Sequence, residues 1–148
     1  MILADFKAFP RVGRIIGVDW GMRRVGVAVS DESRAFVFTR PVINVGRGDD
    51  VVRLVACAAD DERAVGIVVG LPLYPDGAES DTTKMVREFV DALAQKIDLP
   101  IVMVEENLTS VSAQESMGRI RVRDIKERLD SESARVILEN AISLINRA

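Results

Sequence analysis

Histidine is absent from this 148-residue chain. That absence excludes Ser-His-Asp and Cys-His catalysis, zinc sites built on imidazole, and a histidine general base. Any catalysis must rest on carboxylates, lysine, tyrosine, hydroxyls or a bound metal. Metals matched to carboxylate oxygen are Mg²⁺, Mn²⁺ and Ca²⁺. Cysteine is nearly absent: Cys57 stands alone, which rules out an internal disulfide. Its neighbours Val55, Ala56 and Ala58 suggest core packing. No apolar run approaches the roughly 20 residues of a membrane helix. Met1 to Arg14 lacks the basic-then-apolar order of a secretory signal. Together these absences point to the cytoplasm. A basic excess is missing too. The net charge is −3, so any contact with nucleic acid depends on local charge. There is no internal repeat, linker or low-complexity tract, and the length suits one domain, residues 1–148, with a sizeable core.

What is present begins with R-I-I-G-V-D-W-G-M-R-R-V-G-V-A-V-S-D, residues 14–31. Residues 14–19 and 24–30 read as two strands joined by a tight turn, hence an antiparallel hairpin. In the second strand Val25, Val27 and Val29 share one face, and Gly26, Ala28 and Ser30 the other. Residues 35–43 suggest a third strand, and Pro41, which cannot donate a ladder hydrogen bond, argues for an edge. Asp49 or Asp50 then offers a cap to a helix carrying Val51, Leu54, Val55 and Ala58. Residues 64–70 and the run I-V-M-V after Pro100 are apolar on both faces and alternate with helices, so they read as parallel, central strands. Between them, Met85, Val86, Phe89, Val90, Leu93 and Ile97 recur at helical spacing. Thr109 to Met117 reads as a short helix, with a capping box at 112–115. Asp130 to Asn146 reads as a long helix.

Acids recur at the ends of these elements. Asp19 ends the first strand, Glu105 and Glu106 end the last, and Asp130 falls in line with Ala134, Leu138, Ala141, Ile142 and Ile145 on an apolar helix face. An acid at the mouth of a buried strand is costly unless it is paired, hydrogen-bonded or metal-bound. Strand ends on one side of a parallel sheet are where α/β proteins carry their sites. Three such carboxylates meeting at one point would bind divalent metal, and a two-metal site activates water for phosphodiester hydrolysis. Blander roles stand beside this one. Asp19 suits a turn hydrogen bond, Asp130 an N-cap, and Glu105 and Glu106 a solvated loop. Adjacent strand residues face opposite sides, so at most one of the two glutamates joins Asp19.

Four segments resemble the motif blocks of the YqgF/RuvX family: G-V-D-W-G-M-R-R-V-G-V-A-V-S-D, V-V-G-L-P-L-Y-P-D-G-A-E-S, V-E-E-N-L-T-S-V-S-A and L-D-S-E-S-A-R-V-I-L-E. They come in the family's order and span about Arg14 to Ala148. The resemblance implies a ribonuclease H-like α/β fold, a five-stranded mixed sheet flanked by helices. It also implies a metal-dependent endonuclease whose Mg²⁺ or Mn²⁺ site, two-metal in type, is built on Asp19, Glu106 and Asp130. Glu106 is preferred to Glu105 because it matches the family's acid. The implied work is 5′-end maturation of the small-subunit rRNA precursor. Alternatives are resolution of Holliday junctions, which would require a homodimer, and a non-catalytic role in ribosome assembly. Asn107 stands where the family usually has Arg, so a bidentate phosphate clamp is missing. Tyr74 and Pro75 replace Asn and Met, and Glu105 replaces Asp.

Further cations bear on the nucleic-acid partner. Arg23 and Arg24 flank Asp19 in the first turn and suit phosphate contacts, or are ordinary solvated turn cations. Arg121 and Arg123 lie in R-I-R-V-R-D-I-K-E-R, residues 119–128, a basic segment in an acidic chain that would guide a strand to the site or serve only as a charged helix or loop. Ser80 to Thr83 offer helix caps and a phosphate-receptive helix start. Trp20 and Tyr74 are the candidates for base stacking, although single aromatics more often pack. G-V-D-W-G also fits the phosphate loop of an actin-like ATPase, but such proteins close two domains on the nucleotide.

Overall fold

Alternation and β-branched content build the sheet, and it appears in a computed structural model that describes residues 1–107 and 122–147, with side chains described for residues 1–106 and 131–147. The strands are β1 (Ile2–Leu3), β2 (Ile15–Asp19), β3 (Arg24–Ser30), β4 (Val37–Asn44), β5 (Gly66–Leu73) and β6 (Ile101–Asn107). The helices are α1 (Val51–Asp61), α2 (Asp81–Lys96) and α3 (Val122–Arg147). The sheet runs β1-β6-β5-β2-β3-β4. β2 pairs antiparallel with β3, and β3 with β4. β5 is parallel to both β2 and β6.

The mixed α/β fold stands, with one correction: the sheet has six strands rather than five. The extra strand is only two residues long and is held by Ile101 N–H donating to the Met1 carbonyl at 2.8 Å. It lies upstream of every motif block and carries no alternation long enough to read. Pro41 does sit on an edge strand. The β3–β4 register shifts between Val25 and Val27, so the missing N–H falls where the ladder is already broken.

Apolar side chains fill both faces of the sheet. On one face Val18, Val25, Val27, Val29, Ile67 and Val69 pack against Val55 and Ala59 of α1 and Val86, Phe89, Val90 and Leu93 of α2. On the other, Ile15, Ala28, Val68, Val102 and Val104 pack against Ala134, Ile137, Leu138, Ala141 and Ile145 of α3. Burying each large aliphatic contributes roughly 1.5–3 kcal/mol. Helix α3 lies close to the sheet because Gly17 carries no side chain. A Cβ there would stand 2.8 Å from Leu138 Cβ and 2.9 Å from the Ala134 carbonyl oxygen.

Helix starts follow local chemistry. Asp50, rather than Asp49, caps α1 through the Arg53 N–H, while Asp49 accepts from Gly46 N–H at 2.7 Å. Ser80 caps α2 in a reciprocal box with Thr83. Cys57 is exposed, not core; the buried stripe of α1 runs through Val55 and Ala59 instead. Helix α3 begins at Val122, eight residues before the expected start at Asp130. No glycine or proline follows Gly118, so nothing in the basic segment halts the helix. The short helix expected at 109–117 and the capping box at 112–115 lie outside the described residues. Among the described residues, no helix is long and apolar enough to cross a membrane.

Candidate nuclease site

Asp19 is the last residue of β2 and is partly buried. Gly17 faces α3, so alternation places Asp19 on that same face, at the carboxyl end of the strand. Its neighbour in β5 follows from register. Val18 is level with Val69, so Asp19 is level with Gly70.

Glu106 approaches the same point from β6. As expected, Glu105 and Glu106 lie at the end of this strand, which runs through Asn107, and Glu106 pairs with Pro72. Val102 and Val104 face α3, so Glu106 does too, whereas Glu105 takes the opposite face and is exposed. The Glu106 Oε1 atom lies 3.1 Å from where a Cβ on Gly70 would stand. Gly70 is therefore a cradle. Its missing side chain leaves the space that the Glu106 carboxyl overhangs, at the residue level with Asp19. Neighbouring strands are about 4.8 Å apart, so two acids converge across one strand.

Burial removes water from Glu106 and raises its pKa from the usual 4.5 to about 7. A carboxyl at this value carries a proton about half the time at neutral pH.

Asp130 sits inside α3, so the N-cap alternative is overturned. Its level in the fold can be read from its neighbours. Ser131 Oγ donates to the Arg40 carbonyl at 3.2 Å. Arg40 pairs with Val27, and Val27 with Val18. The helix thus reaches position 130 near the level of Asp19, one turn before Ala134, which lies over Gly17. The Asp130 side chain is outside the described residues.

Arg23 lies exposed in the β2–β3 turn after Asp19, and Arg24, partly buried, is not in the turn but opens β3, where it pairs with Asn44. Arg123 is the second residue of α3, its side chain outside the description, and Arg121 lies outside the described residues. The two aromatics separate. Trp20 turns to the other face and packs on Phe89, ring centroids 6.4 Å apart. Tyr74 is 49% exposed just beyond β5.

A divalent cation suits what is described. The donors are hard carboxylate oxygens, and the desolvated Glu106 carboxyl would gain from a cation. Among the described residues, no group of three or more His, Cys, Asp or Glu forms a metal cage. Position 130 of α3 reaches the level of Asp19, and its side chain lies outside the described residues.

Sequence reasoning missed Gly70 as a cradle. Its signal was a small residue in an otherwise branched run, A-V-G-I-V-V-G. It also missed Thr83, whose buried hydroxyl donates to the Pro72 carbonyl and so ties the end of β5 to α2.

Residues 13–144 match the family model described as RuvX, Holliday junction resolvase. The chain belongs to the RuvX family. A relative from Maridesulfovibrio salexigens is 35% identical over 128 residues, covering 85% of this chain and 95% of its own length. One from Nitratidesulfovibrio vulgaris is 34% identical over 133 residues, covering 88% and 94%. Both carry the name "Putative pre-16S rRNA nuclease". Among solved structures, T. thermophilus RuvC in complex with a Holliday junction substrate superposes with a TM-score of 0.55 at 12% identity, covering 90% of this chain and 96% of that one. The fowlpox virus Holliday junction resolvase gives 0.50 at 12% identity, covering 91% and 99%. These likenesses support the ribonuclease H-like fold of this RuvX-family chain.

Proposed function

We propose that this chain is a metal-dependent endonuclease that hydrolyses phosphodiester bonds, and that it works in 5′-end maturation of pre-16S rRNA. The observation that carries the chemistry is the convergence of Asp19 and Glu106 over Gly70, with one of the two carboxyls desolvated. The names of the relatives support the substrate. In this reading residues 1–148 act as one cytoplasmic domain.

Asp19, Glu106 and Asp130 would hold Mg²⁺ or Mn²⁺. When bound there, one or two such ions would supply Lewis-acid polarisation and a more acidic water. The chain's own residues do the rest. Gly70 leaves room for the carboxyls, and the sheet holds Asp19 and Glu106 on the ends of the two strands that flank β5. Glu106 must release its proton before it can ligate. Arg23 and Arg24, with Arg121 and Arg123 ahead of Asp130, would contact phosphates, which position a nucleic acid without reading its sequence.

The test sets wild type beside Asp19→Asn, each with Mn²⁺, on pre-16S rRNA and on a four-way DNA junction. Cleavage of the rRNA precursor by wild type, reduced by at least about 100-fold in the variant, supports the proposal. Symmetric cutting of the junction instead would favour a dimeric resolvase. Loss of neither activity in Asp19→Asn refutes the assignment of the site. Folded wild type that binds but cuts nothing favours an assembly factor.

A further inference from the structure

We propose that Tyr74 is a base-stacking residue, and that the site therefore takes a nucleic acid with an unpaired nucleotide beside the scissile bond. The proposal rests on the nuclease reading above, because it names the substrate class of the same site.

Position carries the first part of the inference. Tyr74 is the first residue after β5, the strand that lies between Asp19 and Glu106. Gly70 faces α3, as the two acids do, and the alternation carries that face through Pro72 to the end of β5, where Tyr74 begins the turn. Pro72 is level with Glu106, so Tyr74 stands two residues, about 7 Å, beyond it. That is the reach of one nucleotide from the carboxyls.

Exposure and rigidity carry the second. Half of this aromatic is open to solvent, yet its backbone is fixed. Tyr74 N–H donates to the Ala78 carbonyl at 3.0 Å, and Gly77 N–H donates to the Tyr74 carbonyl at 2.8 Å. Gly77 takes φ +86°, which closes the turn. Asp76 accepts from Ala78 N–H at 2.9 Å, and Leu73 bridges to Glu79. A ring held out by a locked loop loses little entropy on stacking.

The other aromatics are placed elsewhere. Trp20 is packed on Phe89. Phe36 and Phe38 are exposed, but at the opposite end of the sheet, where Val37 pairs with Ser30. The β2–β3 turn at the same end of the sheet carries the exposed Arg23. An exposed aromatic suits single-stranded nucleic acid, because every base offers a π-face. Bases within a duplex are stacked on each other and cannot reach it.

The experiment measures binding without added metal, in EDTA. Fluorescence anisotropy follows one labelled RNA 12-mer, either single-stranded or annealed to its complement, against wild type, Tyr74→Ala, Tyr74→Phe and Tyr74→Trp. The expected result is that Tyr74→Ala weakens single-strand binding by about 5- to 100-fold, with duplex binding unchanged. Tyr74→Phe and Tyr74→Trp should retain wild-type affinity, and a 2-aminopurine in the strand should be quenched by wild type and not by Tyr74→Ala. Equal losses on both RNAs, or none on either, overturn the proposal. So does failure of Phe to substitute. Failure of the nuclease reading shows separately, as absence of Mn²⁺-dependent cleavage by a wild type that still displays the strand-specific loss in Tyr74→Ala.

Discussion

The carboxyl of Glu106 should make the metal-free protein less stable as pH rises from 4.5 to 7. Folding raises its pKa from 4.5 to about 7 by burial. Below 4.5 the group is protonated in both the folded and unfolded chain and has no effect. Between 4.5 and 7 the folded chain keeps a proton that the unfolded chain has lost, so stability falls with pH. Above 7 the loss is complete. At about 1.4 kcal/mol per tenfold change in proton affinity, it amounts to about 3 kcal/mol. Water at the exposed part of the carboxyl lowers that figure, to between about 1.5 and 3 kcal/mol. No histidine titrates in this window, because the chain has none. Asp31 and Glu62 have lowered pKa values, Asp31 through its hydrogen bonds with Ser33 and Phe36 and Glu62 through Arg40 and Arg14. Their contributions are lost only on acidification below the ordinary carboxylate range. The perturbation is Glu106→Gln, which removes the titration. Urea unfolding followed by circular dichroism at pH 5, 6, 7 and 8 in EDTA should show wild type losing about 1.5–3 kcal/mol, and the variant nearly flat. Parallel curves for the two proteins would refute the reasoning. Mn²⁺ should stabilise wild type more at pH 8 than at pH 5.5, since ligation competes with the proton.

Other expectations follow from the same packing. Gly17→Ala drives a methyl into the Ala134 carbonyl and Leu138 Cβ, both fixed to the α3 backbone, and should cost about 2–3 kcal/mol in urea unfolding. Gly70→Ala meets the mobile Cδ1 of Ile137 and the Glu106 carboxyl instead; it should cost only about 1 kcal/mol while lowering Mn²⁺ affinity by calorimetry. Arg63→Gly should raise stability by about 0.5–1 kcal/mol in a thermal melt. Arg63 has φ +54° after α1, where its N–H reaches the Asp60 carbonyl and Ala64 N–H the Ala59 carbonyl, a helix ending that glycine fits better. Thr83→Val should destabilise by about 1–3 kcal/mol, because it deletes the buried donor to the Pro72 carbonyl and half of the α2 capping box.

The order of elements from β2 to β6, the antiparallel first hairpin, the edge position of Pro41 and the buried face of α3 were legible in the residues. Period and turn chemistry are local properties, and the chain states them directly. The candidate acids were legible as well, because a carboxylate ending a buried strand stands out against its neighbours. Local signals failed where pairing decides. Ile2–Leu3 is a strand only because β6 lends it partners. Leu71 to Leu73 look like loop beside two prolines, yet they continue β5 because β6 runs alongside them. Cys57 belongs to an apolar-looking run but falls outside the stripe that α1 buries. The choice between Glu105 and Glu106 turned on family resemblance in the sequence, and in the structure on which of two adjacent side chains faces α3. Only tertiary structure could bring Glu106 over Gly70, 36 positions away in the chain, and strip it of water. Sequence determines which groups carry charge. The fold determines which of them lose their solvent, and so how tightly each holds its proton.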